Sequence, residues 1–169
     1  GGWAFVGETT ASTSATVAFT NMTTGYDWKY VITNVISVSD NTLFGALVGV
    51  AGVTYRTSDY RGLTGGRHDG GSTDSQEFSS LILMDTDGHG NATNETSHYD
   101  FTLFDPAASG TKTAFGGQVY GHSNSGDEIG NFFCGGTHNV AEAIVAIEFK
   151  FASGNISSGL FRQYKRPNA

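Results

Sequence analysis

Residues 140–164 read VAEAIVAIEFKFASGNISSGLFRQY. Ala141, Ala143, Val145, Ile147, Phe149 and Phe151 fall on one side of a two-residue period, and Glu142, Glu148 and Lys150 fall on the other. That alternation predicts a long strand with one dry face and one wet face. An amphipathic helix competes over residues 140–147, because alanine and glutamate favour helix. Phe149-Lys150-Phe151 tips the balance, since aromatic side chains fit a pleated, half-buried surface. Ser153-Gly154-Asn155 then supplies turn residues, with Gly and Asn both tolerant of positive φ. A second, shorter strand follows over residues 160–166. The C-terminal part therefore reads as a hairpin whose first arm is a central core strand.

Working outward, the 169 residues (17.8 kDa) predict a single domain, 1–169, large enough to bury a core. Charged residues make up only 15% and glycines number 24 against 2 prolines, a balance that fits short strands joined by many turns rather than a disordered chain. Residues 15–20 (ATVAFT) alternate, with Val17 and Phe19 inward. Residues 28–38 (WKYVITNVISV) form a second strong strand with Trp28, Tyr30 and Ile32 on one face, and Asn34 marks a candidate bulge. Residues 43–50 (LFGALVGV) are nearly all apolar, as in a strand covered on both faces. Residues 78–84 (FSSLILM) resume as a strand, and 98–104 (HYDFTLF) alternate with Tyr99, Phe101 and Leu103 together. With residues 1–8, 113–120 and 129–134 this makes nine or ten strands and no convincing helix. The prediction is an all-β, antiparallel β-sandwich, jelly-roll-like. Between strands, residues 58–76 and 85–96 read as long polar, glycine-rich loops, the usual place for function.

The net charge of −7 argues against a nucleic-acid binder, whose footprint is a basic patch. Four of the basic residues, Lys150, Arg162, Lys165 and Arg166, fall in the last twenty positions and read as a solvated chain end. No apolar run reaches the ~20 residues that span a bilayer, so no membrane partner is expected. No signal peptide is visible, and the Gly-Gly-Trp start fits a processed chain or a piece of a longer product. Cys134 is the lone cysteine and, beside Phe132 and Phe133, reads as a buried inert thiol. Four N-x-S/T sequons, at Asn21, Asn91, Asn94 and Asn155, are expected by chance in so Ser-, Thr- and Asn-rich a chain.

Candidate chemistry is sparse. Asp85, Asp87 and Asn91, with Gly90 sixth in the run, match the opening of a calcium loop. His89 stands where an oxygen donor belongs and Glu95 comes one residue early, so a turn-rich loop is the better reading and no metal or other cofactor is expected. The five histidines have no helical ligand spacing. Gly121-His122-Ser123-Asn124-Ser125 lacks the second glycine of a nucleophile elbow, and Asp127-Glu128 alone is no glycosidase pair. No catalytic residue is assigned; the chain is read as not an enzyme. Tyr55, Tyr60 and Tyr120 stand beside polar loops, where aromatic faces either stack on sugars or pin the loops.

Several short stretches, taken in order, resemble a domain of tailed-bacteriophage virion proteins found in tail, fibre and particle-surface polypeptides. They are residues 15–19 leading into Gly25-Tyr26-Asp27-Trp28-Lys29-Tyr30, then Thr57-Ser58-Asp59-Tyr60, Phe101-Thr102-Leu103-Phe104-Asp105-Pro106, residues 151–159, and the closing Gly159-Leu160-Phe161-Arg162-Gln163-Tyr164. The chain departs from that pattern at Gln163 and Lys165-Arg166. The resemblance implies a β-rich, non-enzymatic structural component on the surface of a bacteriophage virion: a fibre, tail or capsid-decoration protein. Such proteins assemble through symmetric contacts, so the expected partners are other virion proteins and the chain itself, as a homotrimer first. Tyr60, Arg61, Arg67 and His89 are the expected interface or receptor-contact residues. The alternative is a carbohydrate-binding module for host attachment through surface glycans.

Overall fold

The computed structural model describes residues 1–68, 73–86, 88–122 and 128–168. Its strands are β1 (Ala4–Ser14), β2 (Val17–Phe19), β3 (Tyr26–Ser37), β4 (Phe44–Val50), β5 (Thr54–Tyr55), β6 (Tyr60–His68), β7 (Thr73–Phe78), β8 (Ile82–Leu83), β9 (Ser97–Phe104), β10 (Lys112–His122), β11 (Glu128–Ala141), β12 (Ala146–Phe151) and β13 (Ile156–Pro167). Among the described residues no helix is long and apolar enough to cross a membrane. One sheet has eight strands in the order β1-β13-β3-β9-β10-β11-β6-β7; the other is β2-β12-β4-β5, with β8 also on β4. All these pairings are antiparallel, and the two sheets enclose one apolar core, so the fold is the expected all-β sandwich.

The stretch that decides the fold divides differently from its pattern. β11 ends at Ala141, and a break precedes β12. Ile144, Ala146 and Ile147 are buried while Val145 is half-exposed, so the inward frame changes at Ala146. β12 lies between β2 and β4, with Phe149 opposite Val17 and Ala46. Both of its edges are occupied, so β13 cannot pair with it. The chain crosses to the other sheet, where β13 sits between β1 and β3. The expected C-terminal hairpin is thus an inter-sheet corner. Gly154 takes φ 75° there, and a Cβ would collide with Ser39, so the corner requires glycine.

Other patterns resolve as expected. On β3, Trp28, Tyr30 and Ile32 are buried, and the register to β9 shifts between Ile32 and Val35 around Asn34 at φ 57°. β4 is buried on both faces: Leu81 covers Gly45 and the Tyr55 ring covers Gly49 from outside. Tyr55 therefore packs on the sheet instead of standing free. Gln163, where the resembling proteins carry an apolar residue, is buried and donates to the Tyr30 hydroxyl at 3.2 Å. Cys134 is buried, and burial pushes its thiol up to about 12.

The largest correction concerns residues 58–76. They contain β6 and most of β7, a paired hairpin in which Gly62, Thr64 and Gly66 oppose Phe78, Gln76 and Asp74. The residues expected to resume as a strand at 78–84 instead end β7, bend, and form only the two-residue β8. The described residues of 85–96 remain outside the strands, but Asp85 and His89 are folded inward.

Candidate interaction face

Of the four residues expected at an interface, two face inward. Tyr60 is fully buried; its hydroxyl accepts from Val48 N at 2.9 Å and donates to Arg56 O at 2.8 Å. Burial pushes its phenol up to about 12. His89 is also fully buried. Its Nε2 lies 2.8 Å from Asp85 Oδ2, and the Tyr99 hydroxyl donates to that same oxygen at 2.9 Å while touching His89 Nε2. Burial first, and then the neighbouring Asp85, push the Tyr99 phenol well up, so it stays a donor. This Asp85–His89–Tyr99 cluster has the composition of a proton relay. It is sealed between the sheets, with His89 against the rings of Phe44 and Phe151, where no substrate reaches it.

The described members of the candidate calcium loop point apart. Asp85 points into the core, Asn91 is exposed, and Asp87 lies outside the described residues. The Glu95 carboxylate accepts from Ala92 N at 2.8 Å, closing a turn rather than reaching Asp85. No group of three His, Cys, Asp or Glu side chains fit to hold a metal occurs among the described residues. Ser123, Asn124, Ser125 and Asp127 also lie outside the described residues.

A second polar cluster ties the sheets together at one end. Arg56 holds Glu142 through Nε–Oε1 (2.8 Å) and Nη2–Oε2 (2.5 Å), and His138 Nε2 is 2.8 Å from the same Oε1. The Arg56 hydrogen bonds, aided by His138, pull the Glu142 carboxyl down from 4.5 to about 2. A carboxyl depressed on folding stabilises the fold above its unfolded value, and that contribution is lost as pH falls toward the folded one. Glu142→Gln is therefore expected to lower the melting midpoint at pH 7 by about 2–4 °C, the shift of roughly 1 kcal/mol at this size. The gap to the parent should close between about pH 4.5 and 2. A gap that persists unchanged at pH 2 would show that packing, not charge, holds this end.

Arg61 and Arg67 do face outward, and the register of the large sheet shows what stands beside them. Antiparallel partners directly opposite one another share a face. One outward row runs Leu63, Gly135, Gly116, Thr102, Lys29, Tyr164 across β6, β11, β10, β9, β3 and β13. The next row, two residues along each strand, runs Gly65, Phe133, Gln118, Asp100, Val31, Arg162. Large apolar groups are exposed on this face: Leu63 at 40%, Phe104 at 43%, Tyr120 at 47% and Phe133 at 50%. The Tyr120 hydroxyl donates to Gln118 Oε1 at 2.7 Å. A hollow of about 760 Å³ opens at the β7 end of the first row, bordered by Arg61, Leu63, Glu77 and Gly135. At the other end Trp3 lies between Lys29 (5.8 Å) and Arg166 (4.7 Å), beside Tyr164. The basic residues near the C-terminus are tied down, Arg162 to Glu8 at 3.3 Å and Arg166 to Asp27 at 3.0 Å.

Sequence reasoning missed this face because its members come from six strands and meet only through register. The one signal available was Phe133, an aromatic residue two positions before the Gly135-Gly136 pair.

No known protein family matches the chain, and no curated protein does. Among solved structures, an alginate lyase from Alteromonas sp.272 is similar at 8% identity and a TM-score of 0.28, over 95% of this chain and 79% of that one. A likeness at that level carries no argument about fold or chemistry.

Proposed function

We propose that this chain is a non-enzymatic structural component of a bacteriophage virion, a fibre, tail or capsid-surface protein that works by protein–protein assembly at the particle surface. The observation that carries the reading is the division of labour between inside and outside. One cluster able to exchange protons, Asp85, His89 and Tyr99, is sealed in the core, while Leu63, Phe133 and Tyr120 are exposed on neighbouring strands of one sheet face. Exposed apolar clusters with arginines beside them have the composition of protein interfaces. The stretches that resemble virion proteins support the same reading. Residues 25–30, 101–106 and 159–164, far apart in sequence, lie on the adjacent strands β3, β9 and β13.

Immuno-electron microscopy of purified particles, with an antibody raised against this chain, is expected to label one fixed position on the virion. Absence of the chain from particles, with enrichment in the soluble lysate, would refute the proposal. A second reading, a carbohydrate-binding module for host glycans, draws on one feature: the Tyr120 ring is exposed with its hydroxyl tethered to Gln118. Binding on a glycan array that Tyr120→Ala abolishes would favour it.

A further inference from the structure

Gly116 and Gly135 face each other across β10 and β11 in the middle of the eight-stranded sheet. Neither has positive φ, and a Cβ would meet nothing nearer than 3.6 Å at Gly116 or 3.8 Å at Gly135. The fold thus has no need of glycine at either position, yet glycine in a strand interior costs about 0.5–1 kcal/mol relative to alanine. Such bare positions occur where another group approaches the backbone closely. Gly65, opposite Phe133, is already buried, so the Gly116–Gly135 pair is the open part of the face.

We propose that this face pairs with the same face of a second copy of the chain. The two copies are related by a two-fold axis that lies in the interface, across the strands, midway between the two outward rows. The knob and its socket are neighbours on one strand: Phe133, half exposed, is two residues, or about 6.7 Å, from Gly135. Rotation about that axis sets Phe133 on the partner's Gly135 and Gln118 on the partner's Gly116, and each contact occurs twice, as an isologous interface requires.

The charges are compatible with the same register, since Asp100 is already paired with Lys29 of its own chain at 2.5 Å. Under this axis Asp100 meets the partner's Thr102, Lys29 meets the partner's Val31, and Arg162 meets the partner's Tyr164 ring. Shifting the axis onto the second row would set Phe133, Asp100 and Arg162 each against its own copy, with like charges opposed, an arrangement that costs stability. The area suffices. Eight strands about 4.8 Å apart give a face about 34 Å wide, and about 20 Å along the strands makes it on the order of 700 Å². A standard interface buries ~800 Å² per partner. Two-fold pairing replaces the three-fold assembly expected from resemblance alone.

Sedimentation velocity on the purified chain tests this. The parent is expected to reach twice the 17.8 kDa of one chain as concentration rises to about 100 µM. Phe133→Asp and Gly135→Val should each weaken pairing by at least about 30-fold, the effect of losing a hot-spot contact, with circular dichroism unchanged and the monomer melting no lower than the parent's. Cross-linking decides the matter if either variant folds poorly. A mixture of Phe133→Cys and Gly135→Cys chains should form disulfide-linked pairs on oxidation, since Cys134 itself is buried. A parent that stays monomeric at that concentration with no cross-link overturns the proposal, as does an oligomer indifferent to both substitutions. Glycan binding lost in Gly135→Val without change of mass would assign the Gly116–Gly135 face to a sugar instead. The pairing rests on the assembly reading only for its purpose: monomers in solution would sink the pairing and leave the particle assignment standing, and absence from particles would do the reverse.

Discussion

Truncating Phe149 to alanine is expected to destabilise the fold by about 3–5 kcal/mol, the range for a buried phenylalanine in a tight core. Phe149 is fully buried at the centre of the small sheet. Its ring meets five others: Tyr30 at 5.2 Å, Phe161 at 5.7 Å, Phe44 at 6.3 Å, Phe101 at 6.4 Å and Phe19 at 6.5 Å. Three of these belong to the opposite sheet, so the residue joins the two layers and its loss leaves a cavity that neither sheet can close alone. At about 2–4 °C per kcal/mol, the melting midpoint should fall on the order of 10 °C. Phe104→Ala, at a position 43% exposed, serves as the control and should cost less than about 1 kcal/mol. Equal losses for the two would mean that aromatic area, not its position between the sheets, sets the cost.

That residue was legible in sequence because Ile147, Phe149 and Phe151 alternate with Glu148 and Lys150, and β9 and β3 were legible for the same reason, down to the bulge at Asn34. β6 was not. After Tyr60 its inward positions are Gly62, Thr64 and Gly66, which give no apolar period. The core volume above Gly62 is filled by Phe78 from the neighbouring strand, with which a Cβ would collide. A pattern spread over two strands is invisible to a reading of either. The C-terminal corner failed for a related reason. Ser153-Gly154-Asn155 encodes a turn, but whether the chain returns beside β12 or crosses to the other sheet depends on β2 and β4 already occupying both edges.

The candidate site was half legible. Arg61 and Arg67 are exposed, as their charge suggests. Tyr60 and His89 were misplaced because they find polar partners inside the fold: Val48 N and Arg56 O for the Tyr60 hydroxyl, Asp85 and Tyr99 for His89 Nε2. A polar side chain reads as exposed until its partners are known.

His89 is the position where that lesson carries the largest consequence. His89→Ala is expected to cost about 3–5 kcal/mol, because removing one partner strands a buried carboxylate. Asp85 would keep only the Tyr99 hydroxyl on Oδ2, and its Oδ1 already lacks a hydrogen-bond partner. Asp85→Ala should be similarly damaging, leaving His89 and Tyr99 buried without their shared acceptor. His89 also anchors its loop to the sheet edge, where His89 N donates to Thr42 O at 2.9 Å and Thr42 Oγ1 bonds Ser153 of the inter-sheet corner. The double substitution removes both members of the pair and should cost less than the sum of the singles by about 1–3 kcal/mol. Tyr99→Phe keeps the ring packed 4.7 Å from Phe44 and deletes only the hydroxyl, so it should cost less than either, about 1–2 kcal/mol. Urea unfolding of the four variants measures all these terms. If the Asp85 and His89 losses add within about 0.5 kcal/mol, the two side chains act independently, and the buried cluster is packing rather than a coupled polar network.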